Sequence, residues 1–78
     1  MKLYICDSKG EMLKITIEAQ KTISELKEKI KELKYVKDEI ILCFDGKMLE
    51  NEKTLLESEL KEENILSFLG NFVPHKNN

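Results

Sequence analysis

Thr22-Ile23-Ser24-Glu25-Leu26-Lys27-Glu28-Lys29-Ile30-Lys31-Glu32-Leu33-Lys34 is the one stretch of the chain with helical periodicity. Ile23, Leu26, Ile30 and Leu33 recur at spacings of three and four, which places them along one face of a helix. Thr22 and Glu25 form a capping box, in which hydroxyl and carboxylate satisfy backbone amides that no helical carbonyl can reach. The remaining positions are lysine and glutamate, as on a solvated face, with Glu25 and Lys29 one turn apart. No glycine stops the helix, so its end is expected near Lys34 and Tyr35.

On either side of this helix the period falls to two. Leu3 and Ile5 alternate with Lys2, Tyr4 and Cys6, and Leu13, Ile15 and Ile17 alternate with Met12, Lys14, Thr16 and Glu18. Asp7-Ser8-Lys9-Gly10 between them is turn chemistry, so the two strands form a hairpin. Residues 40–44 read as a third strand, Asp45-Gly46 as a tight turn, and Met48-Leu49 as a short return strand. Residues 50–63 are charged and irregular, anchored by Leu55, Leu56 and Leu60. A last strand covers residues 65–69, with Leu66 and Phe68 on one face.

The order is two strands, a helix, two strands and a strand. One amphipathic helix can bury one sheet face and leave the other wet, so the expected class is an α+β roll. Its core is expected to draw on Leu3, Ile5, Leu13, Ile15 and Ile17 from the hairpin, and on Ile23, Leu26 and Ile30 from the helix. Leu42, Leu49, Leu55, Leu60, Leu66 and Phe68 complete it. The folded domain is expected over residues 1–70, with residues 71–78 as a flexible tail ending in Pro74-His75-Lys76-Asn77-Asn78.

At 78 residues there is room for one domain, and a chain this short has little interior to spend on a deep cleft. Charged residues make up 36% and hydrophobic ones 41%, which separates it from disordered compositions. A net charge of −2 argues against a basic nucleic-acid module, and the aromatics are too few to stack bases. The longest apolar run, Ile40-Ile41-Leu42-Cys43-Phe44, is too short to cross a membrane as a helix, and the first residues lack the apolar core of a secretory signal. Two cysteines 37 residues apart in sequence form neither a CxxC motif nor a disulfide framework, which suits the cytoplasm or nucleus.

Catalysis finds no support in these residues. Cys6 and Cys43 are expected to face outward on strands separated by the last strand, with Ser67 between them. Strands lie about 4.8 Å apart, so the thiols stand about 10 Å apart, too far for a disulfide. The only histidine, His75, lies in the tail, leaving neither thiol a base nor a zinc ion its usual ligand set. Asp45-Gly46 belongs to no phosphate-binding motif. No catalytic residue, metal, cofactor or small-molecule substrate is expected.

From residue 1 to about residue 69 the chain resembles ubiquitin. The hairpin with Gly10, the Thr22-Ile23 helix start, Lys27-Glu28-Lys29-Ile30, Phe44-Asp45-Gly46-Lys47-Met48-Leu49, Thr54-Leu55 and Leu66-Ser67-Phe68 all fall at that family's spacing. One deletion near Lys37, where the family usually carries two prolines, keeps the register. The resemblance implies a β-grasp fold, a mixed four- to five-stranded sheet on one helix, with the first and last strands parallel at its centre.

The departures bear on function. Conjugated members of the family end in Arg-Gly-Gly, whose slender backbone threads the enzymes that activate and cleave it. Here the matching stretch is Leu69-Gly70-Asn71-Phe72-Val73-Pro74, and no Gly-Gly pair occurs anywhere. Ubiquitin receptors mostly dock on an apolar patch of the exposed sheet face, whose matching positions are Ser8, Cys43, Ser67 and Leu69. The patch is thinned on one side. The same face gains Ile41 and Met48, and keeps Tyr4 and Met12. The resemblance therefore implies a non-conjugated, monomeric interaction domain, with a partner site at Ile41, Cys43, Lys47, Met48, Ser67 and Leu69. Similar domains recruit proteasome subunits or ubiquitin-binding proteins, and the start at Met1 resembles the N-terminal domains of proteasome shuttle factors. The alternatives are a modifier attached through its C-terminus, or a splicing-associated domain contacting RNA or RNA-binding proteins.

Overall fold

The computed structural model describes residues 1–37 and 39–73. Five strands and one helix follow in the expected order: β1 (Lys2–Cys6), β2 (Met12–Thr16), α1 (Ile23–Leu33), β3 (Leu42–Phe44), β4 (Lys47–Met48) and β5 (Ile65–Phe68). The strands form one sheet in the order β2-β1-β5-β3-β4. β1 and β5 run parallel at its centre, with Ile5 opposite Leu66, and the remaining pairs are antiparallel.

Local chemistry accounts for the element boundaries. The helix begins at the expected capping box, with the Thr22 hydroxyl accepting the Glu25 amide and the Glu25 carboxylate accepting the Thr22 amide. That bond from Thr22 holds the Glu25 carboxyl below its ordinary pKa. At the other end, the Lys34 amide still donates to the Ile30 carbonyl, but Lys34 itself is extended. Asp45 and Gly46 both have positive φ, at 55° and 77°, the pair of conformations that a two-residue hairpin turn requires. β3 is shorter than the expected 40–44, because Ile40 and Ile41 lie just outside the regular ladder.

Leu3, Ile5, Ile15, Ile23, Leu26, Ile30, Leu42, Leu55 and Leu66 are fully or almost fully buried, with Ile17, Leu60 and Phe68 close behind. Leu13 and Leu49 are only partly buried, since each stands beside an edge of the sheet and has neighbours on one side. Leu33, expected on the inner helix face, is 47% exposed. Three residues beyond Ile30 it is rotated about 60° away, in the last turn.

Two buried side chains were not in the expected core. Ile40 continues the inward alternation of Leu42. Phe72 lies beyond the last strand, packs on Phe68 with ring centroids 5.3 Å apart, and is buried. Its amide donates to Asp7 Oδ2 at 2.9 Å, and the Val73 amide donates to the Tyr35 carbonyl at 3.0 Å. The packed unit therefore extends three residues past the expected boundary at residue 70, through Val73. Residues 74–78, including His75, lie outside the described residues.

Gly70 makes this return possible. A Cβ there would stand 2.8 and 2.9 Å from two atoms of the Phe68 ring, so any side chain at this position requires that buried ring to shift.

Candidate functional site: the outer face of the sheet

Because α1 covers one face of the sheet, any site on the other is made by residues that alternate outward. Strand pairing brings them into rows. Met12 pairs with Cys6, Cys6 with Ser67, Ser67 with Cys43, and Cys43 with Met48. One row thus crosses all five strands. The two thiols flank Ser67 as expected and both are free.

Backbone bonds fix how closely this row packs. The Asp7 amide donates to the Glu11 carbonyl, and the Leu49 amide to the Leu42 carbonyl. Ladder bonds alternate along antiparallel strands, so the adjacent pairs Cys6–Met12 and Cys43–Met48 occupy the non-hydrogen-bonded positions. Those positions bring opposed side chains closest together.

A second outward group lies on one side of that row. The Leu69 amide donates to the Ile41 carbonyl at 3.1 Å, which places the two residues opposite each other. Ile41 lies between buried Ile40 and Leu42, and Leu69 follows buried Phe68, so both side chains turn outward. On the other side of the row Tyr4 pairs with Ile65 and with Lys14. Met48 is 66% exposed, Leu69 60%, Ile65 52% and Met12 49%, a concentration of apolar surface that isolated surface hydrophobes do not give.

Charges are sparse on this face and sit towards its margins. Lys2 Nζ lies 3.3 Å from Glu63 Oε2, and that hydrogen bond raises the lysine pKa above its ordinary value. Lys14 makes no salt bridge among the described residues. Ser8 is tied down: its amide and hydroxyl both donate to the Gly70 carbonyl, at 2.8 and 2.7 Å.

Of the six expected partner-binding residues, Ile41, Cys43, Met48, Ser67 and Leu69 come together on this face. Lys47 does not. It pairs with Phe44, whose side chain packs on the core, so alternation turns Lys47 away from Met48 and the outer face. It lines a groove of about 680 Å³ with Leu49, Leu56 and Leu60. Ile65, not among the expected partner-binding residues, also faces outward, as alternation with inward Leu66 and Phe68 implies.

A buried carboxylate lies behind the first turn. Asp7 Oδ1 accepts the amides of Lys9 and Glu11 at 3.0 and 2.8 Å, and Oδ2 accepts that of Phe72. Burial pushes its pKa upward, but the backbone donors, led by Phe72, outweigh that effect and hold the carboxyl below its ordinary value. Its role is structural, joining the first turn to the segment that follows the last strand. Among the described residues there is no group of three or more His, Cys, Asp or Glu side chains able to hold a metal ion, and no helix is long and apolar enough to cross a membrane.

A five-stranded mixed sheet wrapped round a single helix, with its first and last strands parallel at the centre, defines a β-grasp protein. The ubiquitin family model matches residues 4–72, and the chain belongs to the ubiquitin family. That assignment carries a general role in protein interaction or protein modification. No curated protein matches the chain.

Proposed function

We propose that this chain is a non-conjugated, non-enzymatic interaction domain that docks onto a protein partner through the outer face of its sheet. The observation that supports this best is the outward cluster of Ile41, Cys43, Met48 and Leu69, extended by Met12, Tyr4 and Ile65 and interrupted by little charge. Apolar anchors near the centre of a patch, ringed by residues that exclude water, are the usual source of binding energy at such surfaces. The partner class is a proteasome subunit or a ubiquitin-binding protein, met in the cytoplasm or nucleus by a monomeric domain.

Two features favour docking over attachment through the C-terminus. The stretch from Leu69 to Val73 contains no Gly-Gly, and Phe72 is buried instead of standing in an extended arm. Direct RNA contact is disfavoured by the acidic balance and by the scarcity of unpaired lysine on the face.

Titrating isotope-labelled protein with a ubiquitin-binding domain or a proteasome receptor subunit tests the reading by NMR. Shift changes are expected at Ile41, Cys43, Ser67 and Leu69. Changes confined to α1 would place the contact on the opposite side and overturn it.

A further inference from the structure

The sequence contains three methionines, and two of them sit at opposite ends of the row that crosses the outer face. Met12 occupies β2 at one edge and Met48 occupies β4 at the other, each opposed by a thiol. Both residues are exposed. Met1 differs, being partly buried and packed against the core, with its carbonyl bonded to the Ile17 amide.

From this placement we infer that Met12 and Met48 form a peroxide-sensitive pair whose oxidation turns the apolar outer face polar and closes it to a partner. The inference rests on the docking reading above. In the chemical step a thioether sulfur attacks one oxygen of hydrogen peroxide. An S–O bond forms, the O–O bond breaks, and the second oxygen leaves as water after proton transfer. Sulfur loses two electrons and peroxide gains them. The product is a sulfoxide, whose oxygen is a strong hydrogen-bond acceptor. Burying it against an apolar partner leaves that acceptor without a donor.

The row offers little to compensate for that acceptor. The residues opposed to them across the ladder are Cys6 and Cys43, both weak donors, and the hydroxyl of Ser67 lies between the two thiols, beyond either methionine. The thiols stand on either side of the central strand, about 10 Å apart, so oxidation cannot join them within one chain. The thioether change is also reversible by methionine sulfoxide reductases, which makes it suited to regulation.

The test uses the full chain carrying Cys6→Ser and Cys43→Ser, so that only thioether chemistry is read, with circular dichroism to establish that the fold persists. Under limiting peroxide, peptide mass mapping should show gains of about 16 Da at Met12 and Met48 well before Met1. Fluorescence of anilinonaphthalene sulfonate, an anionic dye that reports exposed apolar surface, should fall to less than about half and return on treatment with the reductases. The same chain with Met12→Leu and Met48→Leu should bind the dye and keep it after peroxide. Equal oxidation of Met1, undiminished dye binding after oxidation, or equal dye loss in the leucine variant would overturn the inference. Dye lost in an Ile41→Ala/Leu69→Ala variant but kept after oxidation would overturn this inference alone. Dye that never binds, or that is indifferent to those alanines, would overturn the docking face and this inference together.

Discussion

The Phe72 amide donates to Asp7 Oδ2 at 2.9 Å, closing a contact between residues 65 apart in sequence. The same carboxylate holds the Lys9 and Glu11 amides, so one buried charge organises the first turn and anchors the end of the packed chain. Asp7→Ala leaves these amides without their acceptor and is expected to cost about 2–4 kcal/mol in urea unfolding. The pH dependence follows from the depressed carboxyl pKa. The unfolded chain takes up the proton first as pH falls, so the Asp7 contribution is complete above the ordinary carboxylate value. It is lost as pH falls through the lower folded value. Stability measured between about pH 5 and pH 2 should fall more steeply for the parent protein than for Asp7→Asn.

Gly70 is expected to resist even the smallest side chain. An added Cβ meets the Phe68 ring at 2.8 Å, and that ring is itself buried against Phe72. Gly70→Ala should destabilise by about 1–3 kcal/mol through overpacking. Its NMR spectrum should change most at Phe68 and Phe72. An unchanged thermal midpoint would show that the Phe68 ring and residues 70–73 can shift freely.

The helix offers an internal comparison. Leu26 is fully buried, whereas Leu33 is 47% exposed. Leu26→Ala is expected to cost about 2–5 kcal/mol through lost transfer energy and a cavity. Leu33→Ala should stay within about 0.5 kcal/mol. Chemical denaturation of the two variants side by side measures the contrast, and equal losses would mean that the helix is rotated from the orientation described.

At the start of the same helix, Thr22 serves as the N-cap. Thr22→Ala removes the acceptor for the Glu25 amide and should cost about 1 kcal/mol, whereas Thr22→Ser should restore most of that loss. Thermal melts of the three proteins decide it.

Docking is tested by substitution on opposite faces. Ile41→Ala and Leu69→Ala should each weaken partner capture by about tenfold or more, with unfolding curves close to the parent, since both side chains turn outward. Lys31→Ala on the solvated helix face and Lys47→Ala off the sheet face should leave capture unchanged. A loss on Lys31→Ala with none on Leu69→Ala would reverse the assignment of faces.

Much of the fold was legible because it rests on local rules. The change of period from two to three or four separates the hairpin from the helix, Thr22 and Glu25 mark the helix start, and Asp45-Gly46 marks the turn. Alternation also distributes most side chains between core and outer face, and Ile65 follows from it once Leu66 and Phe68 are placed inward. The orientation of Lys47 was less legible, for a definite reason. Lys47 and Met48 are neighbours in sequence, and a two-residue strand gives little pattern from which to tell which one shares the face of Cys43. Pairing with β3 decides it.

Which residues alternate, where the helix begins, and that no Gly-Gly pair occurs among these 78 residues can be read along the chain, because each depends on near neighbours. That Met12, Cys6, Ser67, Cys43 and Met48 form a single row depends on the folded molecule, because register between distant strands is set by the packing of their opposite faces. The same holds at the end of the chain. Asn71-Phe72-Val73 carries no periodic signal, and only the folded molecule supplies what retains it: a buried carboxylate from the first turn, the ring of Phe68, and the carbonyl of Tyr35.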